Sequence, residues 1–236
     1  MATYNGEKYI REQLDSILKQ MFEDDELVII DDCSKDSTTD IIRSYNDSRI
    51  KLFVNPQNLR HVRTFEKAIS LAENEIIFLA DQDDIWCDGR VQIFKNALAQ
   101  NPKTELVTSN FYCIDKTGNK IENRLSKVEA VDSKNNIKNL TNIFLGKIGY
   151  FGCAMAFKKS LTKVVLPIPD YVEAHDLWIA IAANTAQKNL HIDDKTLMHR
   201  MHGNNASDLQ RPLLEKIYAR FLLMRQLTTL ILRRIT

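Results

Sequence analysis

Two apolar runs decide the fold of this chain, because each ends in a cluster of carboxylates. The first is Leu27-Val28-Ile29-Ile30-Asp31-Asp32, and the second is Ile76-Ile77-Phe78-Leu79-Ala80-Asp81-Gln82-Asp83-Asp84. Short apolar runs separated by helical patterns are typical of buried parallel strands. Ligands of open α/β sheets bind beyond the carboxyl ends of the strands. The sequence therefore predicts five carboxylates along one sheet edge, where a divalent cation carrying phosphates would relieve their repulsion.

Strand and helix patterns alternate up to Asp115. Asn5 is placed to cap a helix over 7–20, and further helical stripes separate strand patterns at 26–30, 51–54 and 75–80. This alternation predicts βαβ units and an α/β fold with a mainly parallel sheet flanked by helices.

The pattern is less regular after Asp115. Residues 116–149 are polar and rich in Asn and Lys, which predicts a loop or lid with a short helix. A helix is predicted over 174–186, followed by two short strands at 190–192 and 196–198.

Composition restricts the class of protein and its compartment. The 236 residues are 44% hydrophobic and 27% charged, and the net charge of +1 gives no reason to expect a nucleic-acid partner. The four cysteines form no CxxC pair, which indicates a reducing compartment. Without a secretory segment or a long apolar run, the chain is expected in the cytoplasm or on the inner face of the cell membrane. Residues 1–6 are typical of a strand end whose beginning is missing.

A helical pattern extends from Pro212 to the C-terminus. Its apolar residues fall on one face, and the six basic residues from Arg211 onward oppose the single acid Glu215. The face is formed by Leu214, Ile217, Phe221, Met224, Thr228 and Ile231. Two interpretations remain open, a helix docked on the domain and a helix lying on anionic lipid. The charges exclude a membrane span.

The acidic clusters are the first candidates for chemistry. Asp83 belongs to an Asp-x-Asp at a strand end, which can hold Mg²⁺ or Mn²⁺ bridging a diphosphate; the alternative is a solvated turn that caps the next helix. In Asp31-Asp32, one carboxylate is suited to accept a hydrogen bond from a nucleobase or ribose, and the alternative is again a cap.

Two further motifs lie in the second half of the chain. Asp176 opens a helix, where the dipole favours its ionised form, so it is suited to act as a general base or as a cap. Arg200 and His202 share one side of a strand and are candidates to grip phosphate or complete a metal shell.

In this order the motifs resemble the family 2 inverting glycosyltransferases with the GT-A fold. The matching segments are Ala2-Thr3-Tyr4-Asn5-Gly6, 28–38 and 81–84, with weaker continuation to His175-Asp176 and Arg200-x-His202. The strings Asp-Gln-Asp-Asp-Ile-Trp and Arg-x-His-Gly-Asn-Asn are similar to those of bacterial polysaccharide rhamnosyltransferases. The resemblance implies a nucleotide-sugar-binding half at 1–115, an acceptor-binding and catalytic half at 116–207, and a C-terminal helix at 208–236.

The resemblance also implies a role for each candidate residue. The nucleotide would contact Ala2, Thr3, Tyr4, Asp32 and Asp81. The catalytic base would be Asp176, the diphosphate would meet Arg200 and His202, and the metal ligands would be Asp83 and His202. The implied reaction moves a sugar from a nucleotide-sugar donor, dTDP-rhamnose or a UDP-sugar, to a glycan or lipid-linked acceptor with inversion and with Mg²⁺ or Mn²⁺ as cofactor.

The chain departs from the family pattern at two places. The strand before Ala2 is truncated, and His175 stands where the family usually has a Glu before the base. A relative that binds nucleotide without transferring sugar is therefore the alternative function. A receiver domain is disfavoured because the first acid pair follows the second strand, and a nicotinamide dehydrogenase because its glycine-rich turn is missing.

Overall fold

The computed structural model describes residues 1–123, 125–201 and 212–235, and the elements below are those of these ranges. The strands are β1 Ala2–Thr3, β2 Leu27–Asp31, β3 Ile50–Val54, β4 Ile76–Phe78, β5 Ile85–Trp86, β6 Leu106–Ile114, β7 Lys120–Ile121, β8 Met155–Lys158 and β9 Asn189–Arg200. The helices are α1 Ile10–Leu18, α2 Thr38–Ser44, α3 Arg60–Leu71, α4 Arg90–Gln100, α5 Asn136–Leu145, α6 Thr162–Val165, α7 His175–Thr185 and α8 Leu213–Ile235.

The first sheet is parallel, with strand order β1-β2-β3. Every residue of β2 is buried, as its apolar run predicts. Ala2 pairs with Ile30, and Leu27 pairs with Ile50 in the next strand. The parallel α/β arrangement predicted from the sequence is confirmed, and it places Asp31 and Asp32 at the carboxyl end of the central strand of this sheet.

The second sheet is mixed, with strand order β4-β8-β6-β9-β5 and β7 paired to β6. β6 and β9 run parallel, whereas β8 lies antiparallel to both β4 and β6. The two short strands predicted at 190–192 and 196–198 are one strand, β9, whose register to β6 shifts near Asn110. The acidic loop after β4 leads into β5, which pairs antiparallel with β9 at the other edge of this sheet.

The short first strand nevertheless positions the residues that follow it. β1 pairs with β2 over two residues, and an apolar cavity of about 310 Å³ lies beside it, between Val28 and Ile77. The Thr3 hydroxyl donates to Asp31 Oδ1 at 2.9 Å, and the Asp32 amide donates to the Thr3 carbonyl at 2.7 Å. The carboxyl end of β1 is therefore in place.

The short helix predicted within 116–149 is α5, which packs on α7. A buried polar chain joins the two helices to β9. Asn139 donates to Asn184 at 3.2 Å, Asn184 donates to the Tyr150 hydroxyl at 3.0 Å, and Tyr150 contacts His191 Nε2 at 2.8 Å. Asn139 and Tyr150 thus connect the region before β8 to α7, the helix that carries Asp176.

The C-terminal helix α8 docks on α7 with a face other than the apolar one read from the sequence. Leu222, Leu223 and Leu230 are buried, whereas Leu214 is 80% and Phe221 63% exposed. The docked helix is confirmed, but the predicted stripe faces outward because a second row of leucines fills the domain side. Along the part of the chain that the structure describes, we find no helix with the length and apolar character that crossing a membrane requires.

Candidate active site

A cavity of about 1180 Å³ lies at the carboxyl ends of β1, β2 and β4. It is larger than the pockets of about 300–1,000 Å³ that usually hold small ligands. Residues from both halves of the chain line it. Among them are Ala2, Thr3, Tyr4, Asp32, Asp81, Asp83 and Asp176. The structure therefore brings together the residues predicted for nucleotide, metal and base.

The acidic loop after β4 is tied directly to the end of β1. The Tyr4 amide donates to Gln82 Oε1 at 2.8 Å, and Gln82 Nε2 donates to the Tyr4 carbonyl at 3.1 Å. The buried side chain of Gln13 donates to the Asp81 carbonyl at 2.8 Å. A Cβ on Gly6 would lie 2.3 Å from Gln82 Oε1, so any larger residue at position 6 would displace the Gln82 side chain. Gln82 and Gly6 are site residues whose roles the sequence did not reveal.

The two acids after β2 have different roles. Asp31 is fully buried and accepts hydrogen bonds from Thr3 and from the Ser34 amide at 2.9 Å, so it shapes the turn. Asp32 lines the cavity. Its Oδ1 accepts from Asn55 and from the Leu59 amide, and its Oδ2 accepts from the Arg60 amide at 2.9 Å. A carboxylate has about four acceptor positions, so Asp32 keeps capacity for a further donor.

Carboxylates after β4 repel one another strongly. Burial, followed by the charges of Asp84 and Asp83, raises the pKa of Asp81 to about 8. Burial alone would lower the pKa of His199, but the carboxylates of Asp84, Asp81 and Asp83 raise it to about 9. His199 Nδ1 lies 2.9 Å from Asp84 Oδ1. A protonated His199 thus supplies a buried positive charge beneath the acidic loop.

The donor atoms at this loop fit a hard divalent cation. Mg²⁺ and Mn²⁺ prefer carboxylate oxygens, which Asp81 and Asp83 present to the cavity. The buried Asp84 Oδ2 has no hydrogen-bond partner within the described ranges.

A second group of possible ligands, Asp84, Cys153 and His199, has its ligand atoms within 4.8 Å of one another. Burial raises the pKa of the Cys153 thiol well above its usual value in the metal-free protein. Thiolate and imidazole are also softer ligands than Mg²⁺ prefers. The carboxylates are therefore the better candidates for Mg²⁺ or Mn²⁺.

The predicted base stands at the start of α7. Asp176 lines the cavity, and its Oδ1 accepts from the Leu177 amide at 2.8 Å. Burial raises its pKa, against the lowering effect of the Leu177 and Gly152 amides. Asp176 also contributes to the raised pKa of Asp81, which indicates that the two carboxylates share one electrostatic environment. A raised pKa strengthens a carboxylate as a proton acceptor.

His175 precedes the predicted base and is the residue that departs from the pattern implied by the family resemblance. It is 7% exposed, lines the cavity, and stacks on Phe65 with ring centroids 4.1 Å apart. Burial lowers its pKa to about 3, so the ring is neutral at pH 7. Neither ring nitrogen has a hydrogen-bond partner among the described residues.

Arg200, predicted to contact the diphosphate, lies behind the acidic loop in this structure. Its buried guanidinium donates to the Asp83 carbonyl at 2.8 Å, to the Asp115 carbonyl at 3.3 Å and to Glu12 at 2.5 Å, and it is not among the residues that line the cavity. In this structure Arg200 holds the acidic loop from behind, because it ends β9 beneath that loop. Its contact with the diphosphate stays a prediction. His202, predicted for diphosphate and metal, lies outside the described residues.

Among the described residues, three Lys or Arg side chains line the cavity: Arg60 of α3, and Lys216 and Arg220 of α8. Lys216 and Arg220 are one helical turn apart and line the cavity on the side of α5 and α7. Lys216 and Arg220 could not be placed in the cavity from the sequence, because periodicity does not show which face of α8 packs on the domain.

Comparison with known proteins agrees with this geometry. The family model described as glycosyl transferase family 2 matches residues 1–166. The chain belongs to glycosyl transferase family 2. The membership confirms the resemblance drawn from the motifs, and the match includes the β4 acids but ends before Asp176.

Individual relatives of this family 2 chain cover most of its length. It is similar to the dTDP-rhamnosyl transferase RfbG of Shigella flexneri, with 27% identity over 220 residues, 87% of this chain and 72% of that protein. The structure is similar to that of S. aureus TarS 1-349 in complex with UDP-GlcNAc, with a TM-score of 0.73 and 20% identity over 95% of this chain. This chain spans 64% of that TarS chain.

A second solved structure shows the same fold. Mannosyltransferase PcManGT from Pyrobaculum calidifontis, in complex with GDP-Man and Mn²⁺, gives a TM-score of 0.58 and 17% identity over 98% of this chain and 72% of that one. At these identities the likeness to TarS and PcManGT concerns the fold.

Proposed function

We propose that this chain transfers a sugar from a nucleoside-diphosphate donor to an acceptor hydroxyl with inversion, with the help of Mg²⁺ or Mn²⁺. One observation carries the proposal: a single large cavity is lined by Asp32, Asp81, Asp83 and Asp176, at strand ends of a family 2 fold. RfbG is named as a dTDP-rhamnosyl transferase, and TarS was crystallised with UDP-GlcNAc, so the proposed donor is a sugar linked to dTDP or UDP.

The residues divide between donor and acceptor. The nucleoside would occupy the end formed by Ala2, Thr3, Tyr4 and Asp32, where Asp32 has acceptor capacity for a base imide or ribose hydroxyl. Asp83, with Asp81 beside it, would hold the cation. When bound, the cation offsets negative charge on the departing diphosphate, and it would also relieve the repulsion within the acidic loop.

Asp176 would act on the acceptor. Its carboxylate takes the proton of an acceptor hydroxyl, and that oxygen forms a bond to the anomeric carbon as the bond to the diphosphate breaks on the opposite face. One displacement inverts the anomeric configuration and leaves the proton on Asp176. The Leu177 amide holds Oδ1 at 2.8 Å, which fixes the direction of the carboxylate.

The Asp176→Asn variant tests this function. The amide keeps the shape and can still accept from Leu177 but cannot take the proton, so turnover should fall about 10²–10⁴-fold. The assay is release of UDP or dTDP from a panel of nucleotide sugars, with membrane extract as the acceptor source. Asp170→Asn is the matched control, because Asp170 is a fully exposed ion-pair partner of Arg63.

Near-wild-type turnover in Asp176→Asn would refute the base assignment. Nucleotide binding without turnover in the unmodified protein would favour the alternative function, a nucleotide-binding relative that transfers no sugar.

The proposed place of action is the cytoplasmic face of a membrane, in synthesis of a surface polysaccharide. The outward face of α8 supports this, because exposed apolar side chains stand on a helix whose charged residues are mainly basic. Flotation with phosphatidylglycerol vesicles should therefore exceed flotation with phosphatidylcholine vesicles. The Phe221→Ser variant should lose this flotation, whereas Ile137→Ser, which removes an even more exposed apolar side chain from α5, should not. Equal flotation of the two variants would contradict the membrane contact.

A further inference from the structure

Lys216 and Arg220 lie at the boundary between the cavity and the outward face of α8. Both line the cavity, while the next residue after each, Ile217 and Phe221, is 59% and 63% exposed. Successive residues of a helix are about 100° apart, so the two cations form a row between the docked face and the apolar face. This arrangement joins a charged cavity wall to an apolar surface.

No acid neutralises this row within the described part of the chain. The structure shows no salt bridge for Lys216 or Arg220 there, whereas Arg225 on the same helix stacks on Tyr171 at 3.9 Å and Arg233 donates to backbone carbonyls of 164–167. The Arg220 guanidinium instead lies over the backbone of Gly146, at the cavity wall. Two cations are thus available to an anionic ligand in the cavity.

The row stands on the acceptor side of the proposed site. α8 packs on α7, the helix that begins beside Asp176, and the neighbouring wall comes from the segment after α5. The donor end, formed by Tyr4 and Asp32, belongs to the first sheet. A ligand held by the row would therefore approach the base from the side opposite the nucleotide.

We infer that Lys216 and Arg220 bind the phosphate groups of a lipid-linked saccharide acceptor, whose lipid lies along the outward face of α8. The inference rests on the proposed function and selects the lipid-linked member of its two acceptor classes. The apolar residues would meet the lipid, the cations the phosphate at the surface of the bilayer, and the saccharide would enter the cavity toward Asp176.

The test uses octyl diphosphate as the probe, titrated calorimetrically into protein saturated with Mn²⁺ and the nucleoside diphosphate that binds best. Filling the donor site first prevents the probe from binding there. Octyl diphosphate should bind more tightly than inorganic diphosphate, and the Lys216→Gln/Arg220→Gln variant should weaken it about tenfold or more. Arg225→Gln, a loss of charge on the same helix away from the cavity, should leave binding unchanged, and Lys216→Arg/Arg220→Lys should restore it.

The possible outcomes distinguish a failure of this inference from a failure of the proposed function. If no nucleotide binds the unmodified protein, the proposed function fails and the acceptor site with it. A normal nucleotide response with unchanged octyl diphosphate binding in the double Gln variant refutes the acceptor site alone. Equal binding of inorganic and octyl diphosphate refutes the lipid linkage, and loss of nucleotide binding in that variant would reassign the pair to the donor diphosphate.

Discussion

Replacing Asp81 by Asn should stabilise the metal-free protein at pH 8 while removing its response to metal and nucleotide. Burial and the neighbouring carboxylates raise the pKa of Asp81 to about 8 in the folded state, against about 3.9 in an unfolded chain. The stability this group contributes is therefore fully present below pH 4 and is lost as pH rises through 8. Asn cannot ionise, so the stability advantage of Asp81→Asn grows as pH rises over the same interval.

The magnitude follows from the size of the shift. A difference of about four pKa units corresponds to at most about 5 kcal/mol of unfolding free energy at pH 8. Asp81 keeps partial contact with the open cavity, and water there screens the repulsion, so we expect about 1–3 kcal/mol. For a chain of this length that is a rise in melting temperature of roughly 2–12 °C.

The assay is thermal unfolding in EDTA at pH 8 and at pH 4.5, with Asp88→Asn as the control. Asp88 forms an exposed ion pair with Lys19 and should change the melting temperature little at either pH. The Asp81→Asn advantage should shrink at pH 4.5, where the wild-type carboxyl is protonated in the folded state. Destabilisation of Asp81→Asn at both pH values would refute the argument from carboxylate repulsion.

Three further predictions concern neighbouring residues. Gly6→Ala should displace the Gln82 amide from Tyr4 and lower nucleotide affinity about tenfold with little loss of stability, as isothermal titration would show; unchanged affinity would mean that this bridge does not shape the site. Because burial lowers the pKa of His175 to about 3, the stability that this residue contributes should be lost as pH falls from about 6.5 towards 3. The unfolding free energies of wild type and His175→Gln, measured with urea, should therefore converge by up to about 1.4 kcal/mol per pH unit. Parallel pH profiles of the two proteins would contradict this. Arg200→Gln should cost about 3–5 kcal/mol of unfolding free energy because it leaves the acidic loop unsupported. Weaker donor binding in a variant of normal stability would contradict this and would support the predicted diphosphate contact instead.

The sequence was sufficient to predict the strand ends and what gathers there. Ile29 and Ile77 belong to runs whose apolar character has one stable outcome, burial in a sheet, and that fixes where Asp32 and Asp81 emerge. The direction of the Arg200 side chain, which packs against the acidic loop, could not be predicted in the same way. Whether Arg200 faces the cavity or the loop depends on partners such as Glu12, which is far away in the sequence. No local sequence pattern predicts that contact.

Helix faces and helix starts were predicted less well, for the same reason. α8 has two apolar rows, and periodicity alone cannot decide which meets the domain; α7 selects the row containing Leu223 and Leu230. Asn5 was expected to cap α1, but its side chain accepts from the Lys35 amide at 2.8 Å and the helix begins at Ile10. A contact with the loop after β2 therefore replaced the local cap.

The measurement that tests the central claim most directly is a thermal-shift panel of UDP, dTDP, GDP and CMP, each with and without Mn²⁺. A ligand at 100 times its dissociation constant adds about 2.7 kcal/mol, or a melting shift of roughly 5–10 °C for a chain of this size. We predict such a shift with UDP or dTDP only when Mn²⁺ is present. No shift with any nucleotide, with or without Mn²⁺, would contradict the assignment of the large cavity to a nucleotide sugar.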